Sequence, residues 1–193
     1  MMKYLLVLVA VVVVAFIGFG LAERTSPDFA VQAADKAGPE IDNPEIDMPG
    51  FLKTAQSAAE HRKTHRITEE QFILMSQLPG SVILDARSEK LFKKLHIRGA
   101  INLSFPDIAI DSLEQTIPDK NTLILIYCNN NFKGAKDPFP PKIVTASLNL
   151  STFVSLYDYG YRNVYELGPN IDIKQAQLEF EPQAELQAIT SGH

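Results

Sequence analysis

Four short apolar runs set the main constraint on this chain: Ser81 to Asp85, Gly99 to Leu103, Thr122 to Tyr127 and Asn163 to Leu167. Each is too short for a stable helix and is bounded by glycine, proline, asparagine or aspartate, so each reads as a buried strand. Helix signals fall between them. Thr68 with Gln71 makes a capping box, and Ile67 with Phe72 stands where a hydrophobic staple does, so a helix is expected to about Gln77, closed by Pro79-Gly80. Ser88 caps a second helix over Glu89 to Lys94, and Asp111 with Glu114 begins a third before Pro118. From Lys142 to Tyr159 the residues Ile143, Ala146, Leu150, Phe153, Val154 and Tyr157 follow helical spacing. Asn149 and Ser151 divide that stretch, with Ser151 as a cap, and Gly160 ends it. Strands alternating with helices predict an α/β fold, a mainly parallel central sheet flanked by helices.

The chain has 193 residues, enough for one domain with extensions. Residues 4–22 are uncharged and almost wholly apolar, with Lys3 before them and Glu23 and Arg24 after. As a helix this run would rise roughly 28 Å, close to the thickness of a bilayer core. Two expectations follow for residues 1–22: a signal peptide cut after Gly20-Leu21-Ala22, or an uncleaved membrane anchor, which the length of the run favours. In both cases Lys3 stays inside and the remainder faces outward, on the cell membrane or as a periplasmic or secreted protein.

Residues 23–60 read as a flexible linker with a short duplication, Pro39-Glu-Ile-Asp42 and Pro44-Glu-Ile-Asp47. The basic segment His61 to Arg66 reads as a solvated boundary, with anionic lipid headgroups as an alternative contact. His61 and His65 lack the companions that a metal site needs. The folded domain is placed at 61–180 and a loosely held tail at 181–193. A net charge of −5 argues against a nucleic-acid partner.

Cys128 is the only cysteine, and it stands where the apolar run Leu123 to Tyr127 gives way to Asn129, Asn130 and Asn131. In a parallel α/β sheet, ligands bind outside the carboxyl ends of the strands, which is where this residue falls. Free cysteine is also among the most buried residue types, so a structural role and a nucleophilic one both stand at this point. If the loop curls, its backbone N–H groups form an anion-binding nest, and asparagine tolerates the left-handed backbone that such a curl uses. Lys133 and Gly134 follow, and the lysine would add positive charge.

Four stretches in order resemble the rhodanese-like domain family. They are Asp85-Ala-Arg87 after an apolar run, His96-Ile-Arg-Gly-Ala-Ile-Asn102, Ile117-Pro-Asp-Lys120 ahead of Cys128, and Tyr159-Gly-Tyr-Arg-Asn-Val-Tyr165. The resemblance spans roughly Ile67 to Asp172. It implies a rhodanese-like fold, preceded here by the hydrophobic segment and linker, and a sulfurtransferase that needs no cofactor or metal. Cys128 would be the nucleophile and persulfide carrier. The amides of Asn129, Asn130, Asn131, Phe132, Lys133 and Gly134 would hold the anionic sulfur, with Lys133 at the loop's basic end. Asp85, Arg87 and His96 match framework positions that hold the loops, Arg87 with an option on substrate charge. The partners implied are a small anionic sulfur donor and a thiol or cyanide-like acceptor, with the membrane reached through residues 4–22 if they are retained.

The chain departs from the family pattern in two places. Asparagines and Phe132 stand where the loop often carries arginine and glycine, and the stretch from Cys128 to Gly160 is longer than usual. The added residues 134–142 are read as a lid, a protein-partner surface or an altered pocket, or as Phe132, Phe139 and prolines packing over the core edge. A noncatalytic protein-interaction or anion-binding module is therefore the alternative function. A phosphatase is disfavoured, because Gly134 stands where its phosphate-holding arginine belongs and no arginine lies between Arg98 and Arg162.

Overall fold

A computed structural model describes residues 43–182. The hydrophobic run at 4–22, most of the linker and the tail beyond residue 182 lie outside the described residues. A five-stranded, all-parallel sheet forms the centre. Its strands are β1 (Arg66–Ile67), β2 (Val82–Asp85), β4 (Ile101–Asn102), β5 (Ile124–Tyr127) and β7 (Val164–Leu167), in the order β1-β7-β5-β2-β4. The central strand β5 pairs on one side with β2, Leu125 beside Ile83, and on the other with β7, Leu125 beside Tyr165. Two small ribbons flank the sheet: β3 (His96–Ile97) antiparallel to β9 (Phe180–Glu181), and β6 (Phe132–Lys133) parallel to β8 (Ile171–Asp172).

Side-chain alternation along the strands divides the core in two. Leu125 and Tyr127 point to one face, where they meet Ile83, Leu167, Phe72 of α2 (Glu69–Ser76), Phe132, Phe139 and Phe180. Ile124 and Ile126 point to the other, where they meet Leu84, Val164, Leu113 of α4 (Ile110–Thr116), Phe153 and Leu156 of α5 (Leu148–Asp158), and Ala58 of α1 (Met48–Arg62). A strand buried on both faces is continuously apolar, which is why β5 reads as an unbroken hydrophobic run.

The capping box of Thr68 and Gln71 forms at the head of α2. Ser88 occupies the N-cap of α3 (Glu89–Lys94), though its hydroxyl makes no capping bond. Three local expectations are corrected. First, residues 48–60 are not linker: α1 begins at Asp47, whose carboxylate accepts the Gly50 N–H at 2.8 Å, with Pro49 in the first turn. Its one fully buried residue is Ala58, so α1 carries too thin an apolar stripe to stand out by periodicity.

Second, α4 is capped at Ala109, two residues before Asp111, because the Ser112 hydroxyl accepts the Ala109 N–H at 2.9 Å there. Third, the stretch from Lys142 is divided at Ser147, not Ser151. A single 3-10 turn covers Val144–Ala146, Ser147 is extended, and α5 runs from Leu148 to Asp158. Pro140 and Pro141 hold the preceding segment out of helix, and Ile143 and Val144 are 75% and 79% exposed despite their helical spacing.

Candidate functional site

Cys128 extends β5 by one residue at the carboxyl end of the central strand. Its side chain shares the face of Ile124 and Ile126 and is buried, with 1% exposure. Its Sγ lies 3.3 Å from the hydroxyl of Ser147, the N-cap residue of α5. The N-terminal end of that helix and a hydroxyl able to donate or accept thus face the sulfur.

The asparagines after Cys128 do not adopt the left-handed backbone expected of them. No residue other than glycine has a positive φ among the described residues, and the chain reverses through one 3-10 turn at Asn129–Asn131. The Asn131 N–H donates to the Cys128 carbonyl and the Phe132 N–H to that of Asn129, so both amides are spent inside the turn. Phe132 and Lys133 then enter β6.

The asparagines serve as braces. Asn131 Oδ1 accepts from the Cys128 N–H at 2.8 Å and from Asn149 Nδ2 at 3.0 Å, while its Nδ2 donates to the Leu167 and Pro169 carbonyls. One short amide therefore ties the loop, α5 and the end of β7 together. Asn130 makes reciprocal bonds with the Lys142 backbone, and its carbonyl accepts from Asn170 Nδ2. Asn129 is buried with Oδ1 unpartnered.

Cys128 opens on a cleft of about 190 Å³, below the roughly 300–1,000 Å³ of a drug-sized ligand site, so it suits a small ligand. Two arginines line it, both outside the loop: Arg62 at the end of α1 and Arg66 in β1. Both pair with Glu166 in β7, a carboxylate 4% exposed. Arg62 takes it bidentately, through Nε and through Nη2 at 2.7 Å. Arg66 is the register partner of Glu166 on the neighbouring parallel strand, with Nε at 3.7 Å and Nη2 donating to the Gly168 carbonyl at 3.1 Å.

These residues were missed by sequence reasoning, which took His61 to Arg66 as a solvated boundary. The available signal was Glu166 inside an apolar strand, since a buried carboxylate requires a cationic partner. Lys133 and Gly134 do not line this cleft. They border a larger depression of about 420 Å³ with Phe139 and Pro141, separated from the cleft by Asn130 and Val144, which line both.

The framework residues sit elsewhere. Asp85 and Arg87 are fully buried in an ion pair with Nη2 to Oδ2 at 2.6 Å. The Tyr127 hydroxyl donates to the same Oδ2 at 2.5 Å. Burial, helped by the Asp85 charge, pushes that phenol well above its ordinary value, so it remains a donor. Burial pulls the Arg87 guanidinium down, but its bond to Asp85 and that group's charge outweigh the pull and raise it overall. Arg87 reaches the inserted segment, not the cleft: Nη1 donates to the Pro138 carbonyl at 2.7 Å and the guanidinium lies over the Phe139 ring at 4.3 Å. His96 stacks on Phe92, and its Nδ1 meets the Phe92 carbonyl at 2.8 Å.

The insertion is packed as part of the core. Phe139 is 1% exposed, against Phe132 and Phe180, and Asp137 pairs with Lys94. Gly134 has φ of +86°, in the left-handed region, with the Asp172 carboxylate 3.1 Å from where a Cβ would stand.

His65 lies between Arg62 and Arg66 and stacks on His61 at 3.9 Å. Burial, with the His61 charge adding, holds it below the ordinary histidine value, against a bond to the His61 carbonyl that raises it. The native state therefore carries fewer protons here than the unfolded chain. The stability this contributes is present above about pH 6.5 and is lost as pH falls through the lower folded value. Acidification below pH 6.5 is expected to lower the melting temperature of the wild type more than that of His65→Gln, measured by circular dichroism. Equal pH slopes would refute it.

The family model for the rhodanese-like domain matches residues 68–167, just over half of the chain. The chain therefore belongs to the rhodanese-like domain family. No curated relative matches it. Among solved structures it is similar to a protein from Bacillus halodurans at 17% identity and a TM-score of 0.43, covering 61% of this chain and 76% of that one. It is similar to the rhodanese-like domain of an Anabaena protein at 21% identity and a TM-score of 0.38, covering 65% and 74%. With thiosulfate sulfurtransferase from Pseudomonas aeruginosa it shares 20% identity at a TM-score of 0.40, covering 65% of this chain but 22% of that one.

Proposed function

We propose that the chain is a sulfurtransferase in which Cys128 carries sulfur as a persulfide. The observation that carries this reading is the position of Sγ: at the end of the central strand, against the head of α5 and its Ser147 hydroxyl, on a cleft sized for a small anion. In the first half-reaction the Cys128 sulfur attacks the outer sulfur of a donor such as thiosulfate. A new S–S bond forms, the donor's S–S bond breaks, and sulfite leaves with the electron pair. In the second, a thiolate or cyanide takes the outer sulfur and the Cys128 thiolate departs. The apolar run at 4–22 supports an extension of the proposal, in which the domain works at the outer side of the membrane or beyond it.

The test is the intact mass of the full-length chain, in neutral detergent, after incubation with thiosulfate, with Cys128→Ser in parallel. A gain of one sulfur atom in wild type alone, reversed by cyanide or a thiol, is the expected result. No gain from thiosulfate, polysulfide or a persulfide donor would defeat the proposal.

The low exposure of Cys128 and the amides spent within its loop favour a second reading, a noncatalytic binding module. Partner binding unchanged in Cys128→Ala, together with no sulfur gain, supports that reading.

A further inference from the structure

We infer that the anion subsite of the Cys128 cleft is built by Arg62 and Arg66 from outside the cysteine loop, with Glu166 as their positioning residue. It takes a small anion. The inference deepens the sulfurtransferase reading and rests on it for the identity of the ligand as a sulfur donor.

Both guanidinium groups line the same cleft as the sulfur, whereas Lys133 lines the neighbouring depression. Glu166 fixes them from two directions: a bidentate fork on Arg62, and the cross-strand register with Arg66. Each arginine keeps Nη1 without an acceptor among the described residues, so each retains donors for a ligand. Two guanidinium charges against one carboxylate leave the cleft net positive, complementary to an anion.

Asn149 lines the cleft as well and is 97% buried by its 3% exposure. Its Nδ2 is committed to Asn131 Oδ1, which leaves Asn149 Oδ1 without a partner. A buried acceptor left unpartnered calls for a donor, so it points to a water at this site and not to the anion itself, which the arginines alone would hold. The arginines lie just before residues 68–167, which match the family model, whereas Glu166 and Asn149 lie within them.

The test uses the single cysteine as a reporter. Full-length chain in neutral detergent is alkylated with iodoacetate, an anion, and with iodoacetamide, its neutral analogue, and the two rates are read by intact mass. Arg66→Gln is expected to lower the iodoacetate-to-iodoacetamide ratio about fivefold, the size of one charge contact at about 4 Å screened as in bulk water, and 1 M salt should bring the wild-type ratio toward the same value. Arg66→Lys keeps the charge and should keep the ratio, and Lys133→Ala should leave it unchanged.

The inference is overturned if Lys133→Ala lowers the ratio and Arg66→Gln does not, if Arg66→Lys loses it as fully as Arg66→Gln, or if neither reagent reaches Cys128. A rise in both rates in Arg66→Gln would report an opened fold, and the ratio in Arg66→Lys then decides. Alkylation needs no sulfur transfer. An Arg66-dependent ratio without any persulfide would uphold the subsite and remove the sulfurtransferase reading alone.

Discussion

Arg87→Ala is expected to destabilise the domain by about 3–5 kcal/mol, the usual effect of removing one partner from a buried ion pair. The side chain is fully buried, and its loss strands several groups at once. The Asp85 carboxylate keeps the Tyr127 hydroxyl at 2.5 Å and the residue-87 N–H at 2.9 Å but loses its counter-charge. The carbonyls of Leu95 and Pro138, each 2.7 Å from a guanidinium nitrogen, lose their donors. Such a loss is a large share of the roughly 5–15 kcal/mol that holds an ordinary domain together. Arg87→Lys is expected to recover little of it, because one ammonium cannot reproduce a fork spanning a carboxylate and two carbonyls. Urea unfolding followed by tyrosine fluorescence measures the change. A loss under 1 kcal/mol for Arg87→Ala would show that the pair does not hold the two loops.

The same network explains what the sequence made legible and what it did not. The sheet was readable because β2, β5 and β7 are short apolar runs whose residues have nowhere to go but two packed faces. The strand-end placement of Cys128 followed from that alone. The environment of the sulfur did not, because its parts converge from distant segments: Arg62 from the end of α1, Arg66 from β1, Glu166 from the last central strand, and Ser147 from the head of α5. Local pattern carries no register between β1 and β7, so nothing in the string pairs Arg66 with Glu166.

The asparagine loop misled for a related reason. Asparagine suits a left-handed turn, and equally suits a brace with donors and an acceptor on one short side chain. Asn131 is the second case, since four partners compete for its amide. Helix α1 was missed because Ala58 is its one fully buried residue, and the rest of its hold is partly polar: Thr54 donates to Asp158 at the end of α5, and His61 meets the Arg162 carbonyl beyond it. Those contacts carry the helix that ends in Arg62, so a stretch read as spacer positions half of the cleft's charge.

Phe139→Ala is expected to cost about 3–5 kcal/mol, the range for deleting a fully buried phenylalanine, and to lower the unfolding midpoint without changing the dependence on denaturant. The ring is 1% exposed, 4.7 Å from the Phe132 ring and 6.2 Å from that of Phe180, so its loss opens a cavity in the core. The prediction separates the two roles available to the inserted segment. A lid would give up little stability and would change how fast Cys128 reacts; a core element gives up stability and leaves the reactivity of the folded fraction alone. Because Arg87 lies over the Phe139 ring at 4.3 Å and donates to the adjacent Pro138 carbonyl, the two sites should not act independently. In a double-mutant cycle, Arg87→Ala with Phe139→Ala is expected to lose about 0.5–3 kcal/mol less than the sum of the single losses, since each change already loosens the segment that the other holds. Strict additivity would mean that the insertion is held by Phe139 packing alone and that the Arg87 contact to Pro138 contributes nothing to it.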